Sequence, residues 1–170
     1  MRRSYRKKSA IDDLEAYKIA LETRNMEIGL FWQRSNYFLA LNAALAIGFF
    51  RLSDSYYAYA LACFGLFVSF LWFRVNLGSK YWQSRWEERL KIQEQIAAPN
   101  LDFFSASKAT IQQDVEDSLN GVFANGGNKF KCWLNKQILL KPSVSDTMSQ
   151  LSLSFMCGWF VLLVLLQIGK

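Results

Sequence analysis

The chain has 170 residues, of which 52% are hydrophobic and 20% are charged, with 20 Lys and Arg against 14 Asp and Glu. This length suits one domain or one membrane unit, and charges that cluster in some stretches and vanish from others are not typical of a soluble domain. Because histidine is absent, the chain lacks the commonest zinc ligand and the usual general base, which argues against most enzymes.

The first ten residues, 1–10, form a basic segment that we expect in the cytoplasm. No apolar run follows it at the distance that a secretory signal peptide requires. Nucleic acid and anionic lipid headgroups are both candidate partners for such a segment. We favour the lipid, which attracts each nearby Lys or Arg by about 1 kcal/mol, and we expect no nucleic acid.

Residues 11–98 are predicted to form a helical hairpin. An apolar repeat of three and four residues begins at Ile11 and runs without Pro into two uncharged windows, which predict transmembrane spans at about 35–51 and 55–74. Leu52 to Asp54 would form the turn. A soluble bundle with two buried helices is the alternative, but uncharged runs of this length are rare in soluble folds.

Small residues recur at every third or fourth position of both spans and predict close helix packing or oligomerisation. If the hairpin turns near Ser53, Ala44 lies level with Ala62, and Asn42 can bond to a partner helix. The alternative is that Ala and Gly are simply common in membrane helices. The predicted packing residues are Ala40, Asn42, Ala44, Gly48, Ala58, Ala62 and Gly65.

The same register places Glu22 near Arg85 where the two helices continue beyond the membrane. We expect such partly exposed charges to contribute about 0.2 to 1 kcal/mol. Trp82 and Trp86 are predicted to continue an interfacial aromatic belt into the seam between these helices. A ligand cage is the less favoured interpretation.

Residues 99–142 are predicted to form a small cytoplasmic cap, with a weak helix that begins at Ser105 and stops at Gly121. Asn125 to Asn128 is typical of a turn and permits a short β-hairpin between Val122 and Phe130. A phosphate-binding loop is disfavoured because neither a Gly-Lys-Ser sequence nor a helix start follows this turn.

Residues 143–170 are predicted to form a C-terminal transmembrane helix, which begins at Ser143 with Asp146 three residues later. Lys and Arg are frequent before the first span and after the second, but the turn between the spans offers only Arg51. The N-terminus should therefore be cytoplasmic and the C-terminus outside.

Cys63, Cys132 and Cys157 lie far apart in the sequence. This spacing suits small packed residues rather than disulfide bonds or a metal site. No cofactor-binding motif is evident, and Glu87 and Glu88 are adjacent on a helix and therefore cannot form a catalytic carboxylate pair. We expect no catalytic residue, no cofactor and no metal.

Most of residues 14–98, and more loosely the last 28, resemble the bacterial RipA-like octameric membrane proteins. The likeness rests on the following stretches, together with an apolar helix after Pro142: Tyr17–Glu22, Asn36–Asn42, Ser69–Trp72 and Ser79–Glu88. The resemblance implies a small, multi-pass protein of the bacterial inner membrane that forms a homo-oligomer, such as an octamer. It implies no established enzymatic activity and offers no catalytic residue to transfer.

We therefore expect an all-α integral membrane protein that consists of a transmembrane hairpin with long cytoplasmic extensions and a C-terminal transmembrane helix. The favoured function is a non-enzymatic, self-assembling scaffold or stress-linked sensor. The alternative is a membrane-perturbing effector or pore of a bacterial defence system. The absence of Asp, Glu, Lys and Arg inside the spans does not favour a selective ion path.

Overall fold

The computed structural model describes residues 12–52, 56–123, 129–141 and 143–168. Within these ranges the chain forms five helices and no strand, as the predicted all-α fold requires. The helices are α1 (Asp13–Arg51), α2 (Tyr57–Ala97), α3 (Lys108–Phe123), α4 (Lys129–Leu139) and α5 (Val144–Ile168).

The two helices of the hairpin are long because neither contains Pro. Asp13 and Glu15 lie in the first turn of α1, where the helix dipole favours negative charge. Helix α2 ends at Ala97, since the residue before Pro99 is disfavoured in helical conformation. Each helix is roughly 60 Å long, about twice the thickness of a bilayer core of about 30 Å.

Helices α2 and α5 are long and apolar enough to cross a membrane, by length and composition alone. By the same criteria of length and apolar composition, α1 is not among the candidate spans found in the described residues. Its apolar stretch is short, interrupted by Asn36 and Asn42, and bounded by Arg34 and Arg51. The predicted span at about 35–51 therefore remains a prediction.

Helix α2 lies in the middle of the bundle, with α1 and α5 packed along it. Helix α5 runs antiparallel to α2. The Ser145 hydroxyl donates to Gln83 near the start of α5, and the Tyr59 hydroxyl donates to the carbonyl of Leu166 near its end, at 2.6 Å. The end of α5 therefore lies at the same end of the bundle as the start of α2.

The register of the hairpin differs from the predicted one by about one helical turn. Asn42 contacts Ser69, and the Tyr17 hydroxyl lies 3.5 Å from Glu94. Counting equal numbers of residues in opposite directions along α1 and α2 from either pair places Glu22 level with Arg89 instead of Arg85. The predicted pivot, Ser53, lies outside the described residues.

The described residues on either side of 124–128 are helical, so the predicted β-hairpin between Val122 and Phe130 is wrong. Val122 belongs to α3 and Phe130 to α4, while residues 124–128 lie outside the described ranges. Helix α3 is capped by Ser107, whose hydroxyl accepts the N–H of Thr110 at 3.1 Å, and not by Ser105. It also continues past Gly121, because a helix tolerates glycine at a cost of about 1 kcal/mol.

Candidate functional site

Three helices meet at the side chain of Asn42. Its Oδ1 lies 2.9 Å from the Ser69 hydroxyl on α2 and 2.9 Å from the indole Nε1 of Trp159 on α5. Its Nδ2 donates to the carbonyl of Phe38 on α1. All three linked side chains are buried, so one amide joins α1, α2 and α5. We call Asn42, Ser69 and Trp159 the polar node.

Gly65 makes room for the indole of the polar node. A Cβ atom at position 65 would overlap the ring of Trp159. The same ring packs edge to face against Phe49, with ring centroids 5.9 Å apart. The small residue on α2 thus allows α5 to approach.

The predicted packing residues divide into two groups. Asn42, Ala58, Ala62 and Gly65 are buried between helices, and Gly48 is half-buried beside the Leu61 side chain. Ala40 and Ala44, in contrast, are exposed on another face of α1. The protomer therefore does not bring Ala44 and Ala62 together, because α1 buries Asn42, Leu45 and Phe49 instead.

A second polar cluster lies where α2 ends. The Glu94 side chain is fully buried and accepts N–H groups from Phe103 at 3.1 Å, Phe104 at 2.8 Å and Ser105 at 2.7 Å. The Tyr17 hydroxyl approaches the same carboxylate from α1. Glu94 thus holds the segment after α2 against the hairpin.

The cluster shifts the acidity of both side chains. Burial raises the pKa of the Glu94 carboxyl, but the hydrogen bonds from Phe104, Ser105 and Phe103 lower it by more, so it lies below its ordinary value. Burial, and then the charge of Glu94 and its hydrogen bond, raise the pKa of the Tyr17 hydroxyl. The expected state at neutral pH is a carboxylate facing a neutral phenol.

The predicted pairing between the helical extensions is not formed as expected. No ion pair joins Glu22 to Arg85 among the described residues, and the Arg85 guanidinium lies 5.4 Å from the ring centroid of Trp82. Trp82 is exposed, whereas Trp86 is half-buried. The one-turn difference in register accounts for this result.

A cavity of about 260 Å³ lies beside the start of α5. The Lys80 ammonium donates to the Ser143 hydroxyl at 2.9 Å, and Ser145 is bonded to Gln83 at 2.7 Å. We call this cavity the border cavity, because its α2 residues lie just beyond the apolar stretch of α2 that ends before Arg74. Its lining residues are Ile28, Phe31, Trp32, Lys80, Gln83, Glu87, Ser143, Val144 and Ser145.

The three cysteines form no disulfide bond, and all three are exposed, so the protomer does not pack them as the small residues that we predicted. Cys63 and Cys157 line one apolar groove between α2 and α5. No three of the described Cys, Asp and Glu side chains are grouped so that they could hold a metal ion.

Comparison with known proteins identifies one family. The family model described as the octameric membrane protein family (8xMP) matches residues 14–168, which is most of the chain. No curated protein and no solved structure matches the chain significantly.

Proposed function

The chain belongs to the octameric membrane protein family, and from this premise we propose that it is a non-enzymatic, self-assembling protein of the bacterial inner membrane. Its function is that of an oligomeric scaffold or stress-linked sensor, and the resemblance to RipA-like proteins supports self-assembly in the inner membrane. Helices α1, α2 and α5 form the unit that assembles. The N-terminus, the start of α1 and the end of α2 face the cytoplasm, where basic residues meet anionic headgroups.

The observation that carries this proposal is the polar node. In lipid there is no hydrophobic drive between helices, so packing and hydrogen bonds between helices must supply the association. The amide of Asn42 supplies such bonds to two other helices at once. A unit joined in this way can present a fixed outer surface to further copies.

The outer surface of α2 and α5 is apolar and suits lipid or a second copy. Large side chains on these two helices are well exposed in the protomer. They include Phe64, Phe67, Phe70, Leu71, Phe160, Val161 and Leu165. Because the family's name states octameric assembly, we propose that part of this surface is covered by further copies of the chain, in an octamer.

One observation favours the alternative of a membrane-perturbing effector. Thr147, Gln150 and Ser154 follow one another on an exposed side of α5, which is a candidate span. Polar side chains in a span usually face protein or water rather than lipid. If several copies of the chain placed these α5 side chains around a common centre, the assembly would contain a water-lined path.

Induced expression in bacterial cells that carry a potential-sensitive dye separates the two functions. A scaffold or sensor predicts an unchanged membrane potential at expression levels that fill the membrane fraction. Depolarisation that follows induction and disappears in Gln150→Leu would contradict the scaffold and support the effector. Phe160→Leu, an apolar exchange on an exposed position of the same helix, is the matched control.

A further inference from the structure

We propose that the border cavity binds the headgroup of a zwitterionic aminophospholipid, with the phosphate beside Lys80 and the ammonium beside Glu87. The inference rests on the proposed membrane placement of α2 and α5, and it adds a lipid class and a site to it. It also differs from the general attraction of the basic N-terminal segment to anionic lipid, since it requires both charges of one headgroup.

The position of the cavity fits a headgroup. Lys80 follows the uncharged stretch of α2 and Arg74 by less than two turns, and Ser143 stands directly before the apolar helix α5. The cavity therefore lies where two candidate spans leave the apolar layer. Trp32, whose side chain is 43% exposed, also lines it, and tryptophan is enriched at this level of a membrane.

The lining groups beside Lys80 suit a phosphate. The Lys80 ammonium has three hydrogen-bond donors and uses one on Ser143. Val144 and Ser145 form the first turn of α5, where backbone N–H groups lack acceptors within the helix and the dipole favours an anion. Gln83 accepts the Ser145 bond through its oxygen, which leaves its amide N–H groups to donate.

The carboxylate of Glu87 distinguishes this cavity from a general anion site. Glu87 follows Lys80 by two turns of the same helix and lines the same cavity. A carboxylate repels a second anion but attracts an ammonium group. A headgroup that carries phosphate and ammonium satisfies both side chains, whereas inorganic phosphate or a headgroup without an amine satisfies only Lys80.

Native mass spectrometry of the full chain in detergent tests the proposal, with phosphatidylethanolamine and phosphatidylglycerol of identical acyl chains added separately. We expect the ethanolamine lipid to bind at least tenfold more tightly. Lys80→Gln should weaken both lipids, Lys80→Arg should restore them in large part, and Glu87→Gln should weaken the ethanolamine lipid alone and thereby abolish the preference.

Arg89→Gln and Glu88→Gln are the matched controls, because they make the same charge changes on exposed positions of α2 outside the cavity. Equal binding of both lipids by the unaltered protein, or an ethanolamine preference that survives Glu87→Gln, would overturn the proposal. So would displacement of the lipid by millimolar inorganic phosphate, which would indicate a phosphate site. The same spectra report the oligomeric state. An oligomer that shows no lipid preference refutes only this site, whereas a monomer that shows no lipid preference also refutes the proposed function.

Discussion

At the scale of residues, two buried polar side chains each join separate segments of the chain. The Asn42 amide connects three helices, and the Glu94 carboxylate connects the segment after α2 to the hairpin. Both groups are costly to bury without partners, and both have partners on other segments. Each therefore stabilises one arrangement of the helices and disfavours others.

The first prediction concerns Glu94. Glu94→Gln should lower the free energy of unfolding of the detergent-solubilised protein by about 1 to 3 kcal/mol at pH 7, because the charge-assisted hydrogen bonds are lost. The pKa of Glu94 is lowered by folding. The carboxylate therefore contributes stability above the unfolded pKa, and this contribution is lost as the pH falls through the folded value.

Thermal unfolding of Glu94→Gln and of the unaltered protein between pH 7 and pH 3 measures the difference in stability between them. We expect it to shrink as the pH falls below about 4. Glu88→Gln, an exposed position on the same helix, should show no comparable change at any pH. A constant difference between Glu94→Gln and the unaltered protein across the range would contradict the pKa direction.

Sequence reasoning anticipated one of these two residues. Asn42 stands out because it is an amide in an uncharged apolar stretch, where a polar side chain needs a partner. Glu94 does not stand out, because Glu87, Glu88 and Glu94 all occupy a charged helical extension. Only the long-range approach of residues 103–105, which no local pattern specifies, distinguishes it from a solvated glutamate.

At the scale of elements, the helices follow from local sequence, but their register does not. Apolar repeats, the absence of Pro and the Pro after α2 predict the hairpin well. The register depends on how the chain turns between the spans, and a shift of one turn preserves most apolar contacts. Large side chains, such as Phe38 stacked on Trp72 with 6.1 Å between ring centroids, select the observed alignment.

The second prediction tests the approach of α5 to α2. Gly65→Ala should destabilise the protein by about 1 to 3 kcal/mol, because the added Cβ overlaps the Trp159 ring in a packed interface. Gly78→Ala is the control on the same helix, since nothing lies within 4 Å of a Cβ there. It should be neutral or stabilising, as alanine favours helix. Equal thermal stability of the two variants would show that Trp159 does not pack against Gly65.

The third prediction tests the register through exposed charges. Glu22→Lys and Arg89→Glu should each weaken the helix pair slightly and compensate each other when combined, with a coupling of up to about 1 kcal/mol. A double-mutant cycle on thermal unfolding measures this coupling. The combination of Glu22→Lys with Arg85→Glu should be additive. Coupling between Glu22→Lys and Arg85→Glu, with additivity between Glu22→Lys and Arg89→Glu, would support the alignment predicted from the sequence.

At the scale of the whole molecule, the bundle has two different ends. Helix α5 ends at the level of the start of α2, and the opposite end carries the helical extensions and the border cavity. Lys and Arg are concentrated at that opposite end. From this asymmetry we expect a preferred direction of insertion, with the basic end in the cytoplasm.

The fourth prediction is this topology. Single cysteines at positions 56, 89 and 168, in a chain whose three native cysteines are replaced, report exposure to an impermeant thiol reagent in intact cells. We expect labelling at positions 56 and 168, and labelling at position 89 only after permeabilisation. Labelling of position 89 in intact cells would reverse the orientation, and protection of position 168 would mean that α5 does not span the membrane.

The central claim is that this chain assembles with itself in a membrane, and the mass of the particle tests it most directly. The full chain, extracted from membranes in mild detergent and measured by native mass spectrometry, should give a single closed assembly with the mass of eight chains. Trp159→Ala, which removes the hydrogen bond from α5 to Asn42, should give smaller or heterogeneous particles. A monomer from unaltered protein at concentrations that preserve other membrane oligomers would contradict the account.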